Sequence, residues 1–216
     1  MLVSKRMTQE PITIAPNVTV IDAIYLMKSK KIRRLPVVEN GKLAGIVTES
    51  DLSRASASPA TTLSVHEINY LLSKMQVKDI MEKKVLTVAP DAAVEEAALI
   101  MYENKVGGLV VLSEEGKVAG IITDSDIFKT FVNMMGLSTH KTTRITIETP
   151  DKLGVVHEIS GIFKDAAINI NSFITYRADN GQEELVIRAV IPNAAEIVAQ
   201  IEAKGYKVIN VAQIGS

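Results

Sequence analysis

Apolar residues in this chain alternate between two rhythms, a spacing of three and four residues that predicts helices and a spacing of two that predicts strands. A short strand is expected in ITIAP, from Ile12, and a helix follows in which Val20, Ala23, Ile24 and Met27 recur on one face. Two apolar runs come next in LPVVENGKLAGIV, split by an Asn-Gly pair that favours a tight hairpin. A second helix is expected to begin near Thr48. The same succession then recurs, as LTVAP, a helix carrying Val94, Ala97, Ala98 and Met101, the hairpin LVVLSEEGKVAGII, and a helix starting near Thr123. The two copies align at an offset of 74 residues, which becomes 75 after the hairpin loop, where SEEG has one residue more than ENG. Each copy is a β-α-β-β-α unit whose sheet needs a cover, and pairing the copies supplies one.

Between the copies, residues 53–77 are first small and polar and then amphipathic, with Ile68, Leu71, Leu72 and Met75 expected on one side of a packed helix. After Lys141 the pattern changes to strand, helix, two strands around ADNGQ, helix and strand. The helix face there is Val155, Val156, Ile159, Ile162 and Phe163, and Gly205 is expected to close the last helix in a left-handed conformation. This β-α-β-β-α-β order is the ferredoxin-like arrangement. The expected organisation is α/β (α+β): repeat 1 over 1–60, a connecting helix over 61–77, repeat 2 over 78–134, a linker over 135–142, and a C-terminal domain over 143–216.

Composition narrows the function classes. With 24 Lys and Arg against 25 Asp and Glu, no global field attracts nucleic acid or an anionic membrane. Aromatic residues make up 4% and tryptophan is absent, which removes a stacking platform for single strands. No cysteine is present, and the N-terminal residues and short apolar runs read as neither signal peptide nor membrane span, so a cytoplasmic protein is expected. His66, His140 and His157 show no paired spacing for a metal, and no nucleophile elbow, Walker sequence or dinucleotide fingerprint occurs. The expectation is a protein with no catalytic residues, no metal and no catalytic cofactor.

The chemistry resides in a segment written twice, GIVTESD (Gly45–Asp51) and GIITDSD (Gly120–Asp126). Thr-x-x-Asp before a helix is a capping box in its plainest reading, although Asp is one methylene shorter than the usual Glu. The same pair also suits a ribose-phosphate clamp. A helix N-terminus and a threonine hydroxyl face phosphate, while a carboxylate one turn in accepts hydrogen bonds from vicinal hydroxyls. One further contrast marks the copies: Arg33 and Arg34 stand where the second copy has Gly107 and Gly108. The arginines either stay solvated beside a helix end, or Arg34 grips phosphate and makes the two clefts unequal.

Residues 1–134, through ITIAP, LTVAP and the two hairpins ending in Thr-x-x-Asp, resemble a tandem pair of CBS domains, a Bateman module. The resemblance implies clefts for adenosine-type ligands such as AMP, ATP, NAD or S-adenosylmethionine. Thr48, Asp51, Thr123 and Asp126 would contact ribose and phosphate, and backbone at Ile12 and Val85 would line the base. Residues 142–213 resemble an ACT domain, with Leu153 in the turn TPDKLG where proline is usual. That likeness implies a homodimer and an amino-acid site near Asp151, Leu153, Gly154 and Asn169, although Asp151 and Gly154 also suit a plain turn. Two CBS repeats followed by an ACT unit are similar to the acetoin-utilisation accessory proteins of bacteria. The expectation is a regulatory sensor acting on an unknown protein partner; its alternative is a ligand-free scaffold for protein-protein contact.

Overall fold

In the computed structural model of the chain, residues 1–56, 65–137, 141–150, 153–179 and 181–214 are described. They divide into two compact units, Met1–Ile127 and Phe128–Ser216.

The first unit holds the repeats as far as Ile127, and the last repeat helix runs on past that boundary. Repeat 1 contains α1 (Val20–Lys30), the hairpin β2 (Arg34–Glu39) and β3 (Lys42–Thr48), and α2 (Glu49–Ser56), after a short strand β1 (Thr8–Gln9). The connecting helix α3 (Val65–Lys74) leads to β4 (Thr87–Val88), α4 (Val94–Asn104), β5 (Gly108–Leu112), β6 (Val118–Thr123) and α5 (Asp124–Met134). The hairpin turn of repeat 1 has Asn40 and Gly41 both at positive φ, 52° and 77°, as a type I′ turn requires. Both repeat helices stop at a left-handed lysine, Lys31 and Lys105.

Each repeat has its own apolar core, and each core is completed by the other repeat's leading segment. Ile14, Val20, Ala23, Leu35, Val37, Val47 and Leu52 of repeat 1 pack with Val77, which precedes repeat 2. Val88, Val94, Ala97, Leu109, Val111 and Ile122 of repeat 2 pack with Val3, which precedes repeat 1. The backbone repeats this exchange almost bond for bond. Val3 N–H donates to Ala92 at 2.9 Å and Val77 N–H to Val18 at 2.9 Å; Val94 N–H donates to Met1 at 2.8 Å and Val20 N–H to Met75 at 2.9 Å. Strand β1 pairs antiparallel with β6 in the sheet β1-β6-β5-β4. Its counterpart Glu82 bridges Ile46 of β3, and Ile14 bridges Val37 of β2. Both halves therefore share one strand plan, drawn from crossed segments.

Glycine at the head of each repeated motif makes this crossing fit. A Cβ on Gly45 would lie 2.6 Å from the Met81 sulfur and 2.9 Å from the Glu82 carbonyl oxygen. One on Gly120 would collide with Met7 and lie 3.0 Å from the Thr8 carbonyl oxygen. Helix α3 packs against repeat 1 through Leu72, with Met75 just beyond its end, but Leu71, expected on the same side, is exposed.

The second unit has strands β7 (Thr142–Thr149), β8 (Ile170–Arg177), β9 (Glu183–Ala189) and β10 (Lys207–Ile214), with α6 (Val155–Asp165) and α7 (Ala194–Ala203). All neighbouring pairs are antiparallel in the order β10-β7-β9-β8, the connectivity of a split β-α-β arrangement. Ile145, Ile147, Leu185 and Ile187 of the sheet meet Ile159, Phe163 and Ile201 of the helices in one core. Val156 departs from the expected helix face and is exposed, because Val155, Ile159, Ile162 and Phe163 already fill the buried stripe. Gly205 closes α7 at φ 86°, as its place in the sequence suggests.

Candidate functional site

Strand β3 delivers Thr48 to the start of α2, and β6 delivers Thr123 to the start of α5. Asp51 Oδ2 accepts hydrogen bonds from the Thr48 N–H at 2.9 Å and from the Thr48 hydroxyl at 2.6 Å. Asp51 N–H returns a 3.3 Å bond to the Thr48 oxygen. Asp126 Oδ2 receives the same pair from Thr123, at 2.9 and 2.8 Å. The first segment is a complete capping box, and in the second the aspartate carboxylate reaches back to the threonine in the same way, despite its shorter side chain. The threonine's single proton is directed at the carboxylate, so in this state its hydroxyl oxygen offers a neighbour acceptor capacity. Asp51 keeps Oδ1 outside the box, where it pairs with Arg54 of α2.

A cleft of about 750 Å³ opens beside the first box, within the first unit. Thr48, Glu49, Ser50, Asp51 and Arg54 form one wall; Val85, Leu86 and Val106 supply an apolar one. Cations surround it in excess, with Arg33, Arg34, Arg54, Lys84 and Lys105 against Glu49, Asp51 and Glu82. That volume and mixture, apolar walls with a few convergent polar groups, suits a nucleoside-sized ligand.

Arg34 starts β2 opposite Thr48 in the hairpin register and reaches over to repeat 2. Its Nη2 lies 4.0 Å from Asp124 Oδ2, and Arg33 Nη2 lies 3.9 Å from Asp124 Oδ1. Burial pushes the Arg34 pKa below its ordinary value, Asp124 opposes that shift, and the neighbouring Arg33 adds to it. Arg34 rests on Gly107 and Gly108: a Cβ on Gly107 would strike the guanidinium, and one on Gly108 would lie 3.2 Å from Arg34 Nε. The arginine and glycine pairs that differ between the copies are thus two sides of one contact.

Of the residues singled out from the sequence, Arg34, Thr48, Asp51 and Val85 come together at this cleft. Thr123 and Asp126 form the counterpart box. Ile12 is exposed; at the offset of 74 its counterpart is Leu86, beside Val85 on the cleft wall. Arg54, Lys84, Leu86 and Lys105 escaped the sequence reading. Leu86, Lys105 and Arg54 left a signal there, as repeat positions aligned with Ile12, Lys31 and Lys129, whereas Lys84 aligns with Glu10 and left none.

In the second unit, Gly154 is the residue before α6 and Leu153 is almost fully exposed. Asn169 lies beyond the far end of that helix, lining a separate cavity of about 550 Å³ with Ala167, Asn171 and Asn193. Eleven helical residues, roughly 16 Å at 1.5 Å each, stand between them, so one chain does not gather these residues into one site. Asp151 and His140 lie outside the described residues, as does the side chain of His66, and His157 is exposed. Among the described residues no cluster of His, Asp and Glu could hold a metal, and no helix is long and apolar enough to cross a membrane.

The CBS domain model matches residues 3–58 and 77–133, two blocks that include both crossed leaders and both Thr-x-x-Asp boxes. The chain belongs to the CBS-domain family. Its structure resembles a putative acetoin utilization protein (AcuB) from Vibrio cholerae, at 34% identity and a TM-score of 0.53, over 63% of this chain and 94% of that one. The CBS domain pair of protein MJ0100, solved with 5′-methylthioadenosine and S-adenosyl-L-methionine, is 28% identical at a TM-score of 0.51, over 61% of this chain and 95% of that one. CBSX2 of Arabidopsis thaliana, solved with AMP, gives 28% and 0.51 over 61% and 96%. The family match ends at residue 133, before the second unit's sheet begins at Thr142.

Proposed function

We propose that this CBS-pair protein is a non-catalytic regulatory sensor that binds an adenosine-type ligand, such as AMP, ATP, NAD or S-adenosylmethionine, between its repeats. The observation carrying this reading is the 750 Å³ cleft in which the Thr48-Asp51 box faces the apolar wall of Val85 and Leu86 under a cationic rim. Adenosine ligands in the similar CBS pairs support it. The base would lie on the apolar wall, the ribose hydroxyls at Asp51, and phosphate at the cationic rim with Arg34. Because the cleft takes residues from both repeats, a ligand that prefers one spacing of the repeats shifts their geometry. The second unit, on its β-α-β-β-α-β plan, is proposed as an ACT-type device that pairs two chains and carries the signal to a protein partner. An amino-acid site would then need Leu153 and Gly154 from one chain and Asn169 from the other. The setting proposed from the AcuB likeness is acetoin or related carbon metabolism in the cytoplasm.

Isothermal calorimetry on ligand-free protein with AMP, ATP, NAD and S-adenosylmethionine tests the sensor. At least one is expected to bind. Asp51→Ala should then weaken one site on the order of tenfold or more, since it removes a hydrogen-bonding charge, and spare the other. Silence from all four ligands would refute the reading and leave the ligand-free scaffold.

A further inference from the structure

The two halves of the first unit repeat each other down to single hydrogen bonds, yet the contact of Arg34 with Asp124 has no counterpart. At Arg34's place repeat 2 has Gly108, and at Asp124's place repeat 1 has Glu49. The contact is also unbalanced: two guanidiniums face one carboxylate, at 3.9 and 4.0 Å, distances too long for good hydrogen bonds. Asp124 Oδ1 is further engaged by the Ser125 N–H at 2.8 Å. Arg34 is held among its neighbours with a side-chain exposure of 18%, and Gly107 and Gly108 leave its guanidinium a bare backbone floor. It therefore enters the cleft as an ordered cation whose charge is only partly met. Lys84 and Lys105 line the same space. At Lys84's place the leader of repeat 1 carries Glu10, a carboxylate where the first cleft has a cation.

We infer that the cleft beside Thr48 and Asp51 selects nucleotides bearing a di- or triphosphate, and that Arg34 is the discriminating residue, which ligand phosphate takes over from Asp124. The inference rests on the sensor reading and adds which ligand class, which cleft and which residue. A phosphate chain offers Arg34 several charged acceptors at hydrogen-bonding distance, in the paired geometry a guanidinium favours. Asp124 gives it one loose ion pair across the repeats. A sulfonium nucleoside brings positive charge to a rim already in cationic excess, and adenosine offers the rim nothing. Arg34 therefore separates these ligands by charge, while the box and the apolar wall treat their common nucleoside alike. Because Arg34 and Asp124 belong to different repeats, the exchange also removes a tie between the repeats when the polyphosphate arrives.

The full chain, stripped of ligand and carrying Asp126→Ala to silence the second box, is titrated with ATP, ADP, adenosine and S-adenosylmethionine. ATP and ADP are expected to bind at least about tenfold more tightly than the other two, given the strength of charge-assisted hydrogen bonds. Arg34→Gly, which copies repeat 2, should cut ATP affinity on the order of tenfold to a hundredfold and leave adenosine within about threefold. Asp124→Asn, which removes the competing carboxylate and keeps the fold's contacts, should tighten ATP binding and leave adenosine unchanged. Equal loss of ATP and adenosine in Arg34→Gly would overturn the inference, as would S-adenosylmethionine matching ATP or weaker ATP binding in Asp124→Asn. If nucleosides bind and the ATP-to-adenosine ratio survives Arg34→Gly, this inference fails and the sensor stands. If no nucleoside binds the unmutated chain, both fall.

Discussion

Gly45 and Gly161 are both glycines in regular structure, and the same substitution should move stability in opposite directions. A Cβ on Gly45 would meet the Glu82 carbonyl at 2.9 Å, and that carbonyl accepts the Ile46 N–H at 2.9 Å in the bridge joining the two repeats. The Met81 side chain can swing away, but the carbonyl cannot retreat without loosening the bridge. Gly45→Ala is expected to destabilise the protein by about 1 to 3 kcal/mol, the usual cost of overpacking. Gly161 lies within α6 and has open space where a Cβ would go, so Gly161→Ala should be neutral or add up to about 1 kcal/mol of stability. Urea unfolding of the two variants measures both, and a stabilised Gly45→Ala would contradict the crossing contact. The sequence shows glycine at the head of both motifs but gives no reason for it. That reason is a residue 36 positions away in one case and 113 in the other, Met81 and Met7, which no local pattern connects. The Asp51 box was legible because it is local. Whether aspartate can close it depends on sub-ångström geometry that residue types do not encode.

At the scale of elements, periodicity reports which face of a helix or strand is apolar and not which copy supplies its cover. The offset between repeats could therefore be read, along with every helix and hairpin within them, while the exchange of leaders could not. Val3 and Val77 stand at equivalent positions, each fully buried in the core of the opposite repeat. A truncation at either should be felt across the repeat boundary. Val3→Ala is expected to cost about 1 to 3 kcal/mol and to raise amide exchange around Leu109, Val111 and Ile122 more than around Leu35 and Val37. Val77→Ala should give the mirror pattern. If each variant instead loosened the repeat next to it in sequence, the exchange would be wrong.

For the molecule as a whole, the cleft is built from chain segments far apart in sequence, residues 33–54 of repeat 1 and its hairpin side, and residues 82–108 from the opposite leader through α4 to β5. The sequence pointed to Thr48 and Asp51 because they are written twice, and to Arg34 because it is written once. It did not bring Arg54, Lys84 or Lys105 to the same space, since their proximity follows from the crossing of the leaders. A ligand held there ties both repeats together. Saturation at a hundred times the dissociation constant should add about 2.7 kcal/mol to the stability of the state that binds. Hydrogen exchange on the full chain with and without saturating ATP should place that gain in two separated segments at once, the β3-α2 junction around Thr48 and the stretch from Lys84 to Gly108. Protection confined to one of these segments would mean the ligand sits within a single repeat, and a nucleotide bound there would have no means of setting the spacing between the two.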